Sequence, residues 1–136
     1  MDDISKYTVS IDYDRRLFRH DIAGSIAHSR MLAKQGVIPP DDAAKIVEGL
    51  KVIRQEIEGG SFHWDPALED LHMNIESRLH QLIGPAAGRL HTGRSRNDQI
   101  SLDMRLYTKE TIVRTVSGLR GVQRAFAGLA RRYQSA

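Results

Sequence analysis

The sequence predicts an all-α fold: an N-terminal helical domain followed by the first long helix of a helix-bundle core. Three observations support this prediction. Apolar residues recur at three-and-four spacing in three successive segments, prolines and glycines delimit those segments, and the stretch from Asn97 to Tyr133 contains no proline. We therefore expect two domains, the N-terminal helical domain at residues 1–94 and the long helix at residues 95–136.

The first helix is predicted from one apolar face with a clear stop. We expect it to begin near Asp12 or Asp14, either of which is a suitable N-cap, and to end at Gly36, before Pro39 and Pro40. The residues that share its face are Phe18, Ile22, Ser25, Ile26, Ser29, Leu32 and Ala33.

Ser25 has two interpretations within this apolar face. Its hydroxyl either bonds back to the Asp21 carbonyl, which is common and inexpensive in helices, or it belongs to a binding site. Gly24 beside it would let another backbone approach closely, and this favours the binding site slightly.

Two further helices are predicted before the long one. The second extends from Pro40 to the Gly59–Gly60 pair, and its charged residues form a solvated face. The third begins at Pro66 and ends at Gly84. His72 and Glu76 flank its apolar stripe four residues apart, which favours a weak surface ion pair over a pair that raises the histidine pKa.

The long helix carries two patterns that each require a neighbouring helix. One is a heptad seam of mostly large residues, Ile112, Val116, Leu119, Gln123, Phe126, Ala130 and Tyr133. The other is a small-residue seam, Gly118, Gly121, Ala125 and Gly128. We expect a bundle completed by other chains or by further sequence. The alternative is a four-helix monomer in which the long helix breaks near Gly118 or Gly121.

Residues 91–99, His-Thr-Gly-Arg-Ser-Arg-Asn-Asp-Gln, lie where the long helix begins. They fit a capped turn, with Ser95 or Asn97 as the N-cap, Asp98 in the first turn and solvated arginines. They fit equally well a binding site for a carboxylated small molecule, because arginines, hydroxyls and an amide surround the positive end of a helix dipole. Spacing alone does not decide between the two.

Composition restricts the remaining classes of function. Twenty lysines and arginines against 17 acidic residues give a net charge of +3 with mixed signs, which argues against a nucleic-acid partner. The sequence contains no cysteine, so thiol nucleophiles and thiolate metal sites are excluded. No apolar run reaches membrane-spanning length, and Met1–Lys6 does not resemble a targeting segment, so we expect a cytoplasmic protein without a membrane partner.

Three stretches together resemble the argininosuccinate lyases, a family of the fumarase and aspartase superfamily. Residues 91–99 look like the signature of these lyases, residues 21–28 (Asp-Ile-Ala-Gly-Ser-Ile-Ala-His) are similar to their early helix, and residues 69–76 (Glu-Asp-Leu-His-Met-Asn-Ile-Glu) are similar to their third-helix motif. The resemblance covers essentially the whole chain. It implies a mostly helical homotetramer that uses no cofactor and no metal, and that cleaves argininosuccinate to arginine and fumarate.

The resemblance also implies roles for particular residues. The residues at the family's substrate-binding positions are Ser25, Thr92, Ser95, Arg96 and Asn97. His72 matches a histidine near the active site and is expected to orient or stabilise charge rather than to transfer the proton, while Arg94 is left as a positional residue. Donors of these types suit a substrate with three carboxylates.

The family's later motifs, which carry a catalytic histidine and a flexible loop with a catalytic serine, have no match in these residues. We therefore expect the N-terminal portion of such an enzyme, with no catalytic residue of its own and no turnover in isolation. The alternative is a non-enzymatic helical module for oligomerisation, similar to the lens crystallins of the same fold family. A lyase acting on adenylosuccinate is a weaker third choice, because the Arg-Ser-Arg-Asn-Asp run is typical of the argininosuccinate branch.

Overall fold

The structure is a computed structural model that describes residues 8–135, and it confirms the predicted all-α class. Every regular element in this range is an α-helix or a short 3₁₀ helix. No helix among the described residues is both long and apolar enough to cross a bilayer. The expectation about a targeting segment concerns Met1–Lys6 and lies outside the described residues.

Five α-helices form the described chain. They are α1 (Ile11–Asp14), α2 (Phe18–Lys34), α3 (Pro40–Glu58), α4 (Leu71–Ile83) and α5 (Arg96–Arg132). Three 3₁₀ helices connect them, at Arg15–Leu17, Pro66–Leu68 and Gly84–His91. The predicted second helix and the predicted long helix therefore agree with α3 and α5 to within a residue or two.

The predicted cap of the first helix and the predicted start of the third helix are wrong. A helix does begin near Asp12, at Ile11, but neither Asp12 nor Asp14 caps a helix through its side chain. The Asp14 carboxylate instead accepts the backbone N–H of Leu71 at 3.3 Å. Pro66 begins only a 3₁₀ turn, since Glu69 has a φ of 59° and interrupts the helix there. α4 begins two residues later, where the Asp70 side chain accepts the Met73 N–H at 2.7 Å as the N-cap.

The core lies between α2, α3 and α4, with the 3₁₀ helix Gly84–His91 packed against all three. Its most completely buried side chains come from one face of α3 and one face of α4, and they are Ile46, Leu50, Ile53, Leu71 and Leu79. The α3 residues are spaced four and three positions apart, and the α4 residues are eight positions apart with the buried Ile75 midway between them, so each helix buries a single stripe. The burial of these stripes fixes the helices that carry the polar residues described below.

The chain divides into two compact units, residues 1–103 and 104–136. In the second unit α5 continues without a break through Gly118 and Gly121, so the helix break of the alternative prediction does not occur. The large residues of the heptad seam are exposed, with 60% of Leu119 and 68% of Phe126 accessible. A Cβ atom built at Gly118, Gly121 or Gly128 would meet nothing within 4 Å.

We predict that Leu50→Ala destabilises the chain strongly, because Leu50 is completely buried and the truncation leaves a cavity. The expected loss is about 2–5 kcal/mol of unfolding free energy, measured by urea denaturation. Leu129→Ala is the matched control at an exposed position outside both seams, and it should change the unfolding free energy by less than about 0.5 kcal/mol. Equal losses for the two variants would contradict the assigned core.

Candidate functional site

Three elements of the first unit bring polar side chains together. α2 contributes Asp21 and Ser25, which lie one helical turn apart on the same face. α4 contributes His72 and Glu76, with the same spacing, just after its N-cap Asp70. The start of α5 contributes Arg96, Gln99 and Asp103, whose three-and-four spacing also places them on one face.

A buried cluster of charges lies at the centre of this arrangement. His72 is only 3% exposed, and its Nε2–H donates to Oδ2 of Asp103 at 2.9 Å. Asp21 Oδ1 lies 3.7 Å from the same ring nitrogen, and Asp70 Oδ2 lies 3.6 Å from Nδ1 on the other side of the ring. The imidazole is thus placed among three carboxylates, and the last two distances are those of ion pairs rather than hydrogen bonds.

The carboxylates keep this histidine charged. Burial alone would lower the pKa of His72, but the hydrogen bond to Asp103, with Asp70 and Asp21 nearby, outweighs it and raises the pKa to about 9. Burial raises the pKa of Asp21 to about 6, although the positive charges of His72 and Arg94 oppose this shift. At neutral pH His72 is therefore an imidazolium and Asp21 is mostly ionised.

Three ligand atoms of the cluster are spaced closely enough to hold a metal ion. One atom each from Asp21, His72 and Asp103 lies within 4.8 Å of the others. The protonation of His72 argues against a metal here. An imidazolium has no free lone pair, and a cation would have to displace the proton that Asp103 binds. The positive charge of Arg94 close to Asp21 disfavours a second cation further.

The loop before α5 is both capped and anchored. Gly93 has a φ of 70°, which suits glycine, and the backbone N–H of Ser95 donates to Asp98 Oδ2 at 2.8 Å. Hydrogen bonds from the Ser95 backbone and hydroxyl lower the pKa of Asp98 below its usual value. His28, with its proton on Nε2, donates to the Thr92 carbonyl at 2.9 Å and ties the loop to α2.

The two arginines of the loop are half-buried rather than solvated. Arg94 Nη2 donates to the Ser25 hydroxyl at 3.1 Å, while its Nε–H is buried and has no acceptor within residues 8–135. Burial lowers the pKa of Arg94, and the carboxylates of Asp21 and Glu76 oppose that shift. Arg96 Nε lies 3.4 Å from Asp70 Oδ2, and Arg96 Nη2 lies 3.5 Å from Glu76 Oε2.

A narrow cleft of about 10 Å³ opens between these elements, large enough for no more than about one water molecule. Two predicted site residues, Ser25 and His72, line it, together with Arg94 and Gln99. Thr92, Ser95 and Asn97 do not line the cleft and are exposed in the loop and the first turn of α5. The donors of the described chain therefore fall into two groups. Those of Ser25, Arg94 and Gln99 lie at the cleft, and those of Thr92, Ser95 and Asn97 are exposed.

Two interpretations of the sequence change with these contacts. The surface pair between His72 and Glu76 is wrong, because His72 is buried against Asp103 and Glu76 contacts Arg96 instead. The Ser25 hydroxyl accepts a hydrogen bond from Arg94. The group packed close to Gly24 is a side chain rather than a backbone, because Leu102 Cδ2 would lie 2.7 Å from a Cβ added at Gly24.

Sequence reasoning missed three residues of the cluster, Asp21, Gln99 and Asp103. A signal was present for two of them, because Asp21 falls four residues before Ser25 and Asp103 falls four residues after Gln99. A charged residue in register with an apolar or functional face is uncommon unless it has a buried partner. The partner itself was not visible, since His72 and Asp103 are separated by 31 positions.

Comparison with known proteins shows the family to which this chain belongs. A protein-family profile described as "Lyase" matches residues 3–136. The chain belongs to this lyase family. The argininosuccinate lyase of Geobacter metallireducens is 58% identical to it over 110 residues, which are 81% of this chain and 24% of that protein. The argininosuccinate lyase of Nitratidesulfovibrio vulgaris is 55% identical over 128 residues, which are 94% of this chain and 25% of that protein.

A third relative, the argininosuccinate lyase of Oleidesulfovibrio alaskensis, is 53% identical over 131 residues, 96% of this chain and 28% of that protein. The resemblance to argininosuccinate lyases is therefore confirmed over most of this chain. The chain spans about a quarter of the length of the curated relatives it matches.

We predict that His72 titrates with a pKa of about 9 in the folded chain, measured by NMR from its ring proton shifts. Because the folded pKa is raised above the ordinary histidine value of 6.5, the stability that His72 contributes is complete below about pH 6.5 and is lost as the pH rises through about 9. Asp103→Asn should lower the His72 pKa, since it removes the main favourable contact. Glu48→Gln removes an exposed charge on α3 and is the control. An unchanged His72 pKa in folded Asp103→Asn would contradict this account.

Proposed function

We propose that this chain supplies the substrate-binding residues of an argininosuccinate lyase, which cleaves argininosuccinate to L-arginine and fumarate by β-elimination. In that reaction a base removes a proton from the carbon beside a carboxylate, the C–N bond to the guanidino group breaks, and the departing nitrogen is protonated. We assign neither proton transfer to a residue of this chain. Its residues bind the carboxylates and stabilise the dianionic intermediate, as preorganised donors do.

The observation that carries the proposal is the Arg94 guanidinium. It is half-buried beside the Ser25 hydroxyl, and its Nε–H has no acceptor within the described residues. A buried donor without an acceptor is costly, and one substrate carboxylate oxygen in the water-sized space of the cleft would satisfy it. Arg94, which the sequence left as positional, is thereby added to the proposed binding residues.

The other proposed contacts surround the same donors. They are Ser25, Thr92, Ser95, Arg96 and Asn97, which provide hydroxyls, an amide and a second guanidinium. His72 would act through its charge and its hold on neighbouring groups, because it is buried and its Nε2–H is already donated to Asp103. No cofactor or metal is required by this proposal.

The same family membership supports a cytoplasmic homotetramer for the whole enzyme. In residues 104–135 the large side chains of the heptad seam are exposed, which favours a helix partner of the same kind. This observation equally supports the second candidate function, a non-enzymatic oligomerisation module similar to the crystallins. The two candidates differ in ligand binding, which only the lyase requires.

We predict that argininosuccinate binds to this chain and that Asn97→Ala weakens the binding about tenfold, the effect of one hydrogen bond. Isothermal titration calorimetry is the measurement, because it detects binding without turnover. The residues that transfer protons are therefore not needed for this test. Gln123→Ala removes an amide at an exposed position of the second unit and is the matched control. Equal affinities for the two variants, or no heat of binding at all, would favour the non-enzymatic module. We expect no fumarate release by these 136 residues alone.

We also predict that the chain self-associates through the heptad seam. Phe126→Gln should shift the sedimentation-velocity distribution towards the monomer, because it removes a large apolar side chain that is 68% exposed. Arg124→Gln changes a neighbouring residue outside both seams and should leave the distribution unchanged. A monomer for the unmodified chain would contradict the seam assignment while leaving the binding prediction untouched.

A further inference from the structure

Gln99 is the buried residue of the cluster to which neither the sequence nor the proposed function assigns a role. It is 6% exposed and lies one turn beyond Arg96 on the same face of α5. The nitrogen and the oxygen of its side-chain amide have different partners. Its Nε2 donates to Asp21 Oδ1 at 3.2 Å, and its Oε1 accepts from Arg96 Nη1 at 3.0 Å.

Only one orientation of this amide satisfies both neighbours. An ionised aspartate can only accept hydrogen bonds, and a guanidinium can only donate them. The NH₂ group of Gln99 must therefore face Asp21, and this forces its carbonyl oxygen towards Arg96. A flipped amide would bring the oxygen against the carboxylate and the NH₂ group against the guanidinium, so both hydrogen bonds would be lost in a buried environment.

Arg96 depends on such contacts because its other partners are looser. Its contacts with Asp70 and Glu76 are 3.4 and 3.5 Å, whereas the Gln99 hydrogen bond is 3.0 Å. The Gln99 hydrogen bond lies on Nη1, whereas the ion-pair contacts of Asp70 and Glu76 are made to Nε and Nη2. It therefore restrains rotation of the guanidinium plane at a third nitrogen.

We propose that Gln99, oriented by the Asp21 carboxylate, is a positioning residue that holds the Arg96 guanidinium in the plane required to receive a substrate carboxylate. This inference rests on the proposed function, which makes Arg96 a substrate contact. Planar guanidinium–carboxylate recognition is sensitive to orientation, and a freely rotating arginine would pay for its ordering during binding. Asp21 acts at a distance, through the amide.

The test follows the guanidinium protons of Arg96 by NMR in the unliganded chain. Gln99→Met keeps the length of the side chain and removes both hydrogen bonds, and it should make hydrogen exchange at the Arg96 guanidinium about tenfold faster, as expected for residues in one network. Asp21→Asn should have a similar effect without touching Arg96, because an asparagine can donate as well as accept and no longer fixes the amide orientation. Arg78, held by Glu56 at 2.6 Å, is the internal control and should not change.

The double variant separates this role from general destabilisation. Once Gln99 is methionine, Asp21→Asn should add nothing further to the exchange of Arg96, whereas a general loss of stability would add and would also accelerate exchange at Arg78. Unchanged Arg96 exchange in Gln99→Met would overturn the proposal, as would additive effects of the two substitutions. If Asp21→Asn does not fold, Gln99→Met alone remains decisive.

Titration with argininosuccinate then separates this inference from the function on which it rests. Weaker binding by Gln99→Met, in proportion to the faster exchange of Arg96, is the expected result. Faster exchange with no change in affinity would show that Gln99 orders Arg96 without positioning it for substrate, and would overturn the inference alone. If the unmodified chain does not bind argininosuccinate, the proposed function fails, and with it the positioning role, while the ordering of Arg96 by Gln99 is still measured directly.

Discussion

The hydrogen bond between His72 and Asp103 is the interaction on which the rest of the site depends. It joins the first turn of α4 to the second turn of α5, it is 2.9 Å long, and both side chains are almost completely buried. Charges in this environment are tolerated only when they are paired, because either one alone would be strongly destabilising. The pair therefore specifies how the start of α5, and the loop before it, lie against the N-terminal helices.

The loop before α5 forms the capped turn that its sequence allows, and it holds the donor groups of the proposed binding site. Ser95 and Asp98 form the capped turn, and the arginines on either side of Ser95 turn inward to Ser25, Asp70 and Glu76. The cap is compatible with the proposed binding site because it uses Ser95 and the side chain of Asp98, which leaves the guanidinium groups of Arg94 and Arg96 for other partners. A rigid start to α5 also keeps the donor groups ordered before a ligand arrives, which lowers the entropic cost of binding.

Local patterns were sufficient to predict most of the fold, but not the electrostatics of the site. Proline and glycine punctuation located α3, and a long stretch without proline located α5, because those signals are local in the sequence. The start of α4 was misplaced because the deciding feature, the backbone conformation of Glu69, is not encoded by a characteristic residue. His72 was misinterpreted because Glu76 is its neighbour in sequence and Asp103 is its neighbour in space. Family resemblance supplied the proposed contacts, whereas the packing of Arg94, Gln99 and Asp103 became visible only in three dimensions.

We propose that the loop before α5 and the Ser25 hydroxyl form one carboxylate-binding surface supported by the buried charges. Chemical-shift mapping of argininosuccinate on the isotopically labelled chain would locate that surface residue by residue. We expect saturable shifts concentrated at the backbone and side-chain signals of Ser25, Arg94, Arg96 and Asn97, with residues 104–135 unaffected. Shifts spread along the basic surface of residues 104–135, or none in the loop at saturating ligand, would contradict it.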